Sequence, residues 1–492
     1  MQITIQNLTF AYEGSYENIF ENVSLTIDTS WKLGLIGRNG RGKTTLLRLL
    51  QQKMEYSGTI SCPVDLEYFP YPVSDPYENA LDAAQEICPD FAYWQLVREL
   101  NLLEVPEDVL YQPFYTLSNG ERTKLMLAAL FLNENDFLLI DEPTNHLDLR
   151  GRELVSRYLA GKKGFILVSH DRSFLDGCID HVMAINRTDI EIQQGNFSTW
   201  YENQQRQMQF ELAENRKLEG EIGRLKKSAA ERAAWSSKAE KGKFGTTSSG
   251  SRVDRGYVGH KAAKSMKRSK AIENRRLQAA RQKESLLKNA ETVQDLSIRQ
   301  LPYKTEKMAD FSNVSVYYDD RMICGPVSFS VMRGDRIALV GKNGSGKSSL
   351  LKLLCGEDIP HTGTFTRGSG LRISYVQQNA VFEQTDLSDY AEAAQIDESL
   401  FKAILRKLDF SREQFDTPLQ AMSEGQKKKV QIARSLCEQA HLLVWDEPLN
   451  YIDVLSRMQI EKLLLDYRPT LIFAEHDRKF CEEIAVKTVT LG

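Results

Sequence analysis

Two octapeptides in this chain could each grip a polyphosphate. They are Gly37-Arg38-Asn39-Gly40-Arg41-Gly42-Lys43-Thr44 and Gly341-Lys342-Asn343-Gly344-Ser345-Gly346-Lys347-Ser348. Both fit the P-loop pattern, in which glycines let backbone N–H groups close around phosphate oxygens and the lysine neutralises them. The hydroxyl of Thr44 or Ser348 is suited to Mg²⁺. Each P-loop is followed by the same series of residues. A short signature comes first, Leu117-Ser118-Asn119-Gly120-Glu121 in one half and Met422-Ser423-Glu424-Gly425-Gln426 in the other. Then an apolar run ends in two acids, Asp141-Glu142 or Asp446-Glu447. The runs Pro143-Thr144-Asn145-His146-Leu147-Asp148 and Pro448-Leu449-Asn450-Tyr451-Ile452-Asp453 follow, and a histidine, His170 or His476, closes each set. One match can arise by chance, but two in register mark an internal repeat with two nucleotide-binding units.

Parallel strands must position these groups. Residues 1–200 alternate strand-like apolar runs with amphipathic stretches, the pattern of an α/β unit with a mostly parallel sheet. Leu33–Gly37 reads as a strand feeding the first P-loop, Thr44–Leu50 as the helix behind it, and Phe137–Asp141 and Gly164–Ser169 as further buried strands. Residues 306–492 repeat the order with Arg336–Gly341, Ser348–Leu354, Leu442–Asp446 and Thr470–Glu475.

The length of 492 residues fits two to four domains, and 41% hydrophobic with 26% charged residues is an ordinary globular balance. No apolar run approaches the roughly 18–20 residues of a membrane span. Met1–Gln6 alternates like a strand and does not read as a signal peptide. The seven cysteines lack CxxC spacing and read as reduced thiols, so a cytoplasmic location is expected. The net charge of -4 conceals an asymmetry: residues 201–300 hold 23 Lys/Arg against 12 Asp/Glu.

That basic segment separates the repeats, giving expected domains at 1–200, 201–300 and 301–492. Residues 201–238 and 261–293 lack proline and read as long helices with a thin apolar seam. The Gly/Ser-rich stretch between them predicts an antiparallel helical hairpin with a tip loop near 241–260. Lys241, Lys243, Phe244, Arg255 and Tyr257 lie at this tip, where cations suit RNA phosphates and aromatics suit unstacked bases.

P-loop, signature, acid pair and histidine in this order resemble the ATP-binding-cassette family, over both halves. The resemblance implies two tandem ATPase domains that close head to tail over two ATP molecules, so the chain acts as a monomer with an intramolecular cassette pair. ATP would lie on Gly37, Asn39, Gly40, Gly42, Lys43, Thr44 and Thr45 opposite Ser423, Gly425 and Gln426. The other ATP would lie on Gly341, Asn343, Gly344, Gly346, Lys347, Ser348 and Ser349 opposite Ser118, Gly120 and Glu121. Tyr12 and Tyr318 would stack on adenine. Asp141 and Asp446 would hold Mg²⁺ with Thr44, Ser348 and Gln378, while Glu142 and Glu447 orient or deprotonate water and His170 and His476 meet the γ-phosphate.

Two departures predict unequal hydrolysis. Where the second half has Gln378 in Tyr375-Val376-Gln377-Gln378, the first reads Tyr68-Phe69-Pro70-Tyr71, which places Tyr71 in the glutamine slot. The second half also replaces Thr-Asn-His-Leu with Leu449-Asn450-Tyr451-Ile452.

Two cassettes joined by a basic hairpin, with no membrane segment, resemble the F subfamily. Its members bind the exit site of the bacterial 70S ribosome and direct the linker toward the peptidyl-transferase centre, near 23S rRNA and P-site tRNA. The short stretch between Tyr71 and Leu117, the long tip loop and the end at Gly492 are similar to antibiotic-resistance members of the Lsa/Vga type. Those act against lincosamides, pleuromutilins and group A streptogramins. A housekeeping translation factor of the same subfamily shares every motif. A transporter motor leaves the hairpin unexplained, and a DNA-repair ATPase normally shows zinc-binding cysteines or a far longer coiled coil, so neither a membrane nor DNA is an expected partner.

Overall fold

The computed structural model describes residues 1–210 and 300–491, except 13–17, 134–136, 146, 187–188, 319–320, 379–381, 383–385 and 409, with isolated positions 213–214, 217, 220 and 227 between them. Two compact units result: Met1–Trp200 with Leu296–Gly492, and Tyr201–Asp295. In the second unit residues 201–210 are helical, with Glu202 and Arg206 paired one turn apart. The expected hairpin beyond these positions, including Lys241, Lys243, Phe244, Arg255 and Tyr257, lies outside the described residues.

In the first unit, strand Lys32–Gly37 occupies the interior of a six-stranded sheet. The spatial order is Leu66–Phe69, Phe137–Asp141, Phe165–Val168, Lys32–Gly37, His181–Ile185, Ile190–Gln194. All neighbours are parallel except the last pair. Phe137–Ile140 and Phe165–Val168 are buried at every position, as strands covered on both faces must be, which is why they read as continuous apolar runs. The second half repeats this with an all-parallel sheet ordered Ile373–Val376, Leu442–Asp446, Leu471–Ala474, Arg336–Gly341, Lys487–Leu491.

Each half adds a three-stranded antiparallel sheet: Gln2–Phe10 between Phe20–Asp28 and Ser57–Ser61, and Lys307–Tyr318 between Arg321–Met332 and His361–Arg367. The first core joins Ile3, Ile5 and Leu8 of the small sheet to Leu33 and Leu35 of the large one through Leu46 and Leu47 of the P-loop helix. The second joins Phe311 and Val314 to Ile337 and Leu339 through Leu350 and Leu351. Because the central strands run parallel, the residues after Gly37, Asp141 and Val168 emerge at one sheet edge, as do those after Gly341, Asp446 and Ala474. A crevice at this carboxyl edge is where open α/β sheets bind ligands.

Candidate active site

Glycine makes each P-loop possible. Gly42 and Gly346 adopt φ of 88° and 84°, and a Cβ on either would collide at 2.6 Å, with Ile19 and Cys324 respectively. The helices Lys43–Leu50 and Lys347–Cys355 start there, so their free N–H groups point into the loop. Lys43 Nζ donates to the carbonyls of Gly37 (2.8 Å) and Arg38 (3.3 Å), and Lys347 Nζ to those of Gly341 (2.9 Å) and Lys342 (3.0 Å). Burial lowers the pKa of both ammonium groups, opposed by nearby acids that include Asp141 and Glu142 for Lys43 and Glu447 and Asp446 for Lys347.

Thr44 Oγ1 donates to Asp141 Oδ2 at 3.0 Å, and Ser348 lies beside Asp446, where its hydroxyl acts to lower the pKa of that carboxyl. Asp446 Oδ1 is buried with no hydrogen-bond partner, and burial raises its pKa. This oxygen-only pairing of hydroxyl and carboxylate suits a hard cation such as Mg²⁺. The ion would be held by Thr44 with Asp141 and by Ser348 with Asp446, and would supply charge neutralisation on the phosphates.

Glu142 and Glu447 follow these acids with φ of 53° and 46°. Their N–H groups donate across the sheet to Val168 O and Ala474 O, both at 2.9 Å, which holds the strained turn. The two carboxylates differ. Both oxygens of Glu142 are buried without a hydrogen bond, and burial together with Asp141 pushes its pKa up to about 8. His170 Nε2 lies 3.2 Å from Glu142 Oε1, outside hydrogen-bonding geometry. Glu447 Oε2, by contrast, accepts from Gln378 Nε2 at 2.8 Å and Asn450 Nδ2 at 2.6 Å. Gln378 therefore sits on the candidate base, one residue beyond Asp446. Burial depresses the pKa of both histidines, for His476 to about 3, so each imidazole is neutral near pH 7 and can donate one N–H.

The signature serines cap helices. Ser118 and Glu121 form a reciprocal capping box on Asn119–Leu130, and Ser423 and Gln426 one on Glu424–Cys437. Each helix start meets the P-loop of the other half. Ser118, Gly120 and Glu121 line one cleft of about 850 Å³ with Asn343, Gly344, Gly346, Lys347, Ser348 and Ser349, which Gln378, Glu447 and His476 also border. On the opposite side Asn39 Nδ2 donates to Tyr451 O at 2.6 Å, and Asn39 N to Asp453 Oδ2 at 3.4 Å. A Cβ on Gly425 would fall 2.4 Å from the backbone oxygen of Tyr451 and 2.6 Å from Asn39 Nδ2, so the rigid carbonyl requires glycine here. Tyr12 is half exposed and its hydroxyl bonds Thr45 Oγ1 at 2.8 Å, beside the first P-loop. Tyr318 is similarly exposed, at the end of strand Lys307–Tyr318.

Several groups at these sites were not foreseen from the sequence. Tyr68 OH donates to Asp141 Oδ2 at 2.9 Å, and Tyr375 stands near Asp446, where burial and that carboxylate raise the pKa of its phenol. Tyr71 instead lies half-buried, and burial, with Glu86 and Glu67 adding to it, raises its pKa. The recurrence of Tyr68 and Tyr375 in aligned positions was the available signal. Arg152 donates to Leu147 O (3.1 Å) and Asp171 Oδ2 (2.9 Å), and Arg457 repeats this with Ile452 O (2.9 Å) and Asp477 Oδ2 (3.2 Å). Arg152 also reaches His476 O across the halves at 3.3 Å. Lys428, hidden in a lysine run that reads as a solvated face, is buried and donates to the carbonyls of Gln377 (2.7 Å), Gln378 (3.1 Å) and Asp446 (3.3 Å). Thr123 stands at its counterpart in the first half. Glu475 precedes His476 where Ser169 precedes His170; its buried carboxylate accepts from Leu449 N (3.2 Å) and His476 N (3.1 Å).

The sequence and the fold match known proteins. The family model described as ABC transporter matches residues 20–145 and 324–450. Ribosome protection protein VmlR of Bacillus subtilis (strain 168) is 28% identical over 98% of this chain and 85% of its own length. Energy-dependent translational throttle protein EttA of Escherichia coli (strain K12) is 26% identical over 95% and 88%. Among solved structures, RNase-L Inhibitor superposes with a TM-score of 0.63 at 16% identity over 99% of this chain and 87% of that one, a likeness of fold. Among the described residues no helix is long and apolar enough to cross a membrane. The chain belongs to the ATP-binding-cassette family, whose module it carries twice, and is an ATPase of that family's F branch.

Proposed function

We propose that this chain is a cytoplasmic, ATP-dependent ribosome-binding protein that protects the bacterial ribosome from antibiotics. ATP and Mg²⁺ bound at the two composite sites hold the halves together, and the basic segment 201–300 reaches toward the peptidyl-transferase centre. There its tip, with Lys241, Lys243, Phe244, Arg255 and Tyr257, displaces lincosamide, pleuromutilin or streptogramin A drugs through 23S rRNA or P-site tRNA. The observation that carries this reading is the facing of each P-loop by the other half's signature helix within one chain, on a sequence similar along nearly its whole length to a ribosome protection protein. The excess of 23 basic over 12 acidic residues in 201–300 suits an RNA-lined cavity.

The comparable likeness to EttA favours a second reading, a translation factor that acts on ribosomes without drug. Inhibitory concentrations of the three drug classes in a sensitive bacterium, with and without the chain, separate the two. Protection raises them at least several-fold; unchanged sensitivity with retained ribosome binding favours the translation factor.

A further inference from the structure

We propose that the helical part of the first cassette carries a docking site for a Lys/Arg-rich polypeptide segment, independent of the ribosomal reading. A depression of about 500 Å³ opens on helix Tyr93–Leu102, lined by Tyr93, Trp94, Val97, Arg98, Asn101, Leu102 and Glu107. Trp94 is 62% exposed and Leu102 56%, and neighbouring Tyr111 is 63% exposed. Large side chains left in water this way mark an interaction surface. Tyr93 OH donates to Glu107 Oε1 at 2.6 Å and lies 2.9 Å from Tyr111 OH, so two rings and a carboxylate form one cluster.

The chemistry selects a cation. Of the nine Asp/Glu in residues 71–117, Glu99 is buried on Arg98 and Lys162 and Glu104 pairs with Arg150, while Asp75, Glu78, Asp82, Asp90, Glu107 and Asp108 are exposed against the single cation Arg98 of this stretch. Such a surface repels phosphates and attracts lysine and arginine. Aromatic faces bind those cations directly, and Arg98 already does so, its guanidinium 5.8 Å from the Trp94 ring centroid. In the second half Tyr390, Phe401 and Phe410 are buried in the core, and Arg406 lies 5.8 Å over the partly buried ring of Phe415, so among the described residues no aromatic there is as exposed as Trp94. The exposure of these rings is therefore what distinguishes the first cassette.

Fluorescence anisotropy on the full chain tests this with two labelled probes, a short Lys/Arg/Gly/Ser peptide and a uridine RNA of equal length. Wild type should bind the peptide in a salt-dependent manner. Trp94→Ala and Tyr111→Ala should each weaken it about tenfold, which is about 1.4 kcal/mol, and Trp94→Phe should recover most of the loss. RNA affinity and ATPase rate should not change in these variants. The proposal is overturned if the peptide does not bind wild type, if both alanine variants bind it unchanged, or if the variants lose RNA in place of peptide.

Discussion

The phenol of Tyr68 donates to the same oxygen of Asp141, Oδ2, that accepts the hydroxyl of Thr44. Tyr375 occupies the corresponding place near Asp446. Each tyrosine is thus placed to orient a carboxylate suited to Mg²⁺. Groups that orient metal ligands are commonly worth about 10–100-fold in metal affinity or activity. Tyr68→Phe and Tyr375→Phe should raise the Mg²⁺ concentration needed for half-maximal ATPase by about tenfold while the fold remains intact. An unchanged Mg²⁺ requirement would remove this role.

Lys428 ties the signature helix of the second half to the carbonyls of Gln377, Gln378 and Asp446. Lys428→Met should cost about 1–3 kcal/mol of stability, from carbonyls left unpaired, and should slow turnover. Thr123→Met, at the counterpart without such a network, should alter turnover less. Denaturant unfolding and steady-state ATPase assays compare the two.

Arg152 and Asp171 form a buried pair, and loss of one partner leaves a charge without compensation. Asp171→Ala should destabilise by about 3–5 kcal/mol. Because Arg152 also donates to His476 O, nucleotide affinity at the Lys347 site should weaken as well. A thermal scan with and without nucleotide reads both effects.

Glu475 is pushed from 4.5 up to about 7 by burial, with Glu447 adding and Arg457 opposing. Between those values the native carboxyl retains a proton that the unfolded chain has lost. This group therefore makes stability fall as pH rises from 4.5 to 7. Glu475→Ser, which installs the residue the first half uses at Ser169, should flatten that decline by up to about 1.4 kcal/mol per pH unit. A pH series of unfolding free energies with the same slope in both proteins would contradict it.

Much of this was legible in the residues. The strands Phe137–Asp141, Arg336–Gly341 and Leu442–Asp446 coincide with their apolar runs, because strands covered on both faces are apolar along their length and carry Asp141, Arg336 and Asp446 only at their ends. P-loop, acid pair and histidine converge because parallel strands end at one edge. The pairing of Gln378 with Glu447 was not legible, since a spacing gives the neighbourhood of an amide and not its partner. Lys428 was missed because a lysine run signals solvent until its helix is docked. The antiparallel sheets were missed because their half-exposed strands, such as Ser57–Ser61, lack the continuous apolar signal.

Completion of each site by the other half is tested most directly by confining hydrolysis to one site. In a Glu142→Gln background, turnover depends on Glu447 and Lys347. Adding Ser118→Arg should then reduce the remaining ATPase by at least about tenfold, by filling the phosphate position at the helix start, whereas Ser423→Arg should leave it within about twofold. In a Glu447→Gln background the two arginines should exchange roles. If each arginine instead silences the P-loop of its own cassette, the sites are not shared and the account fails.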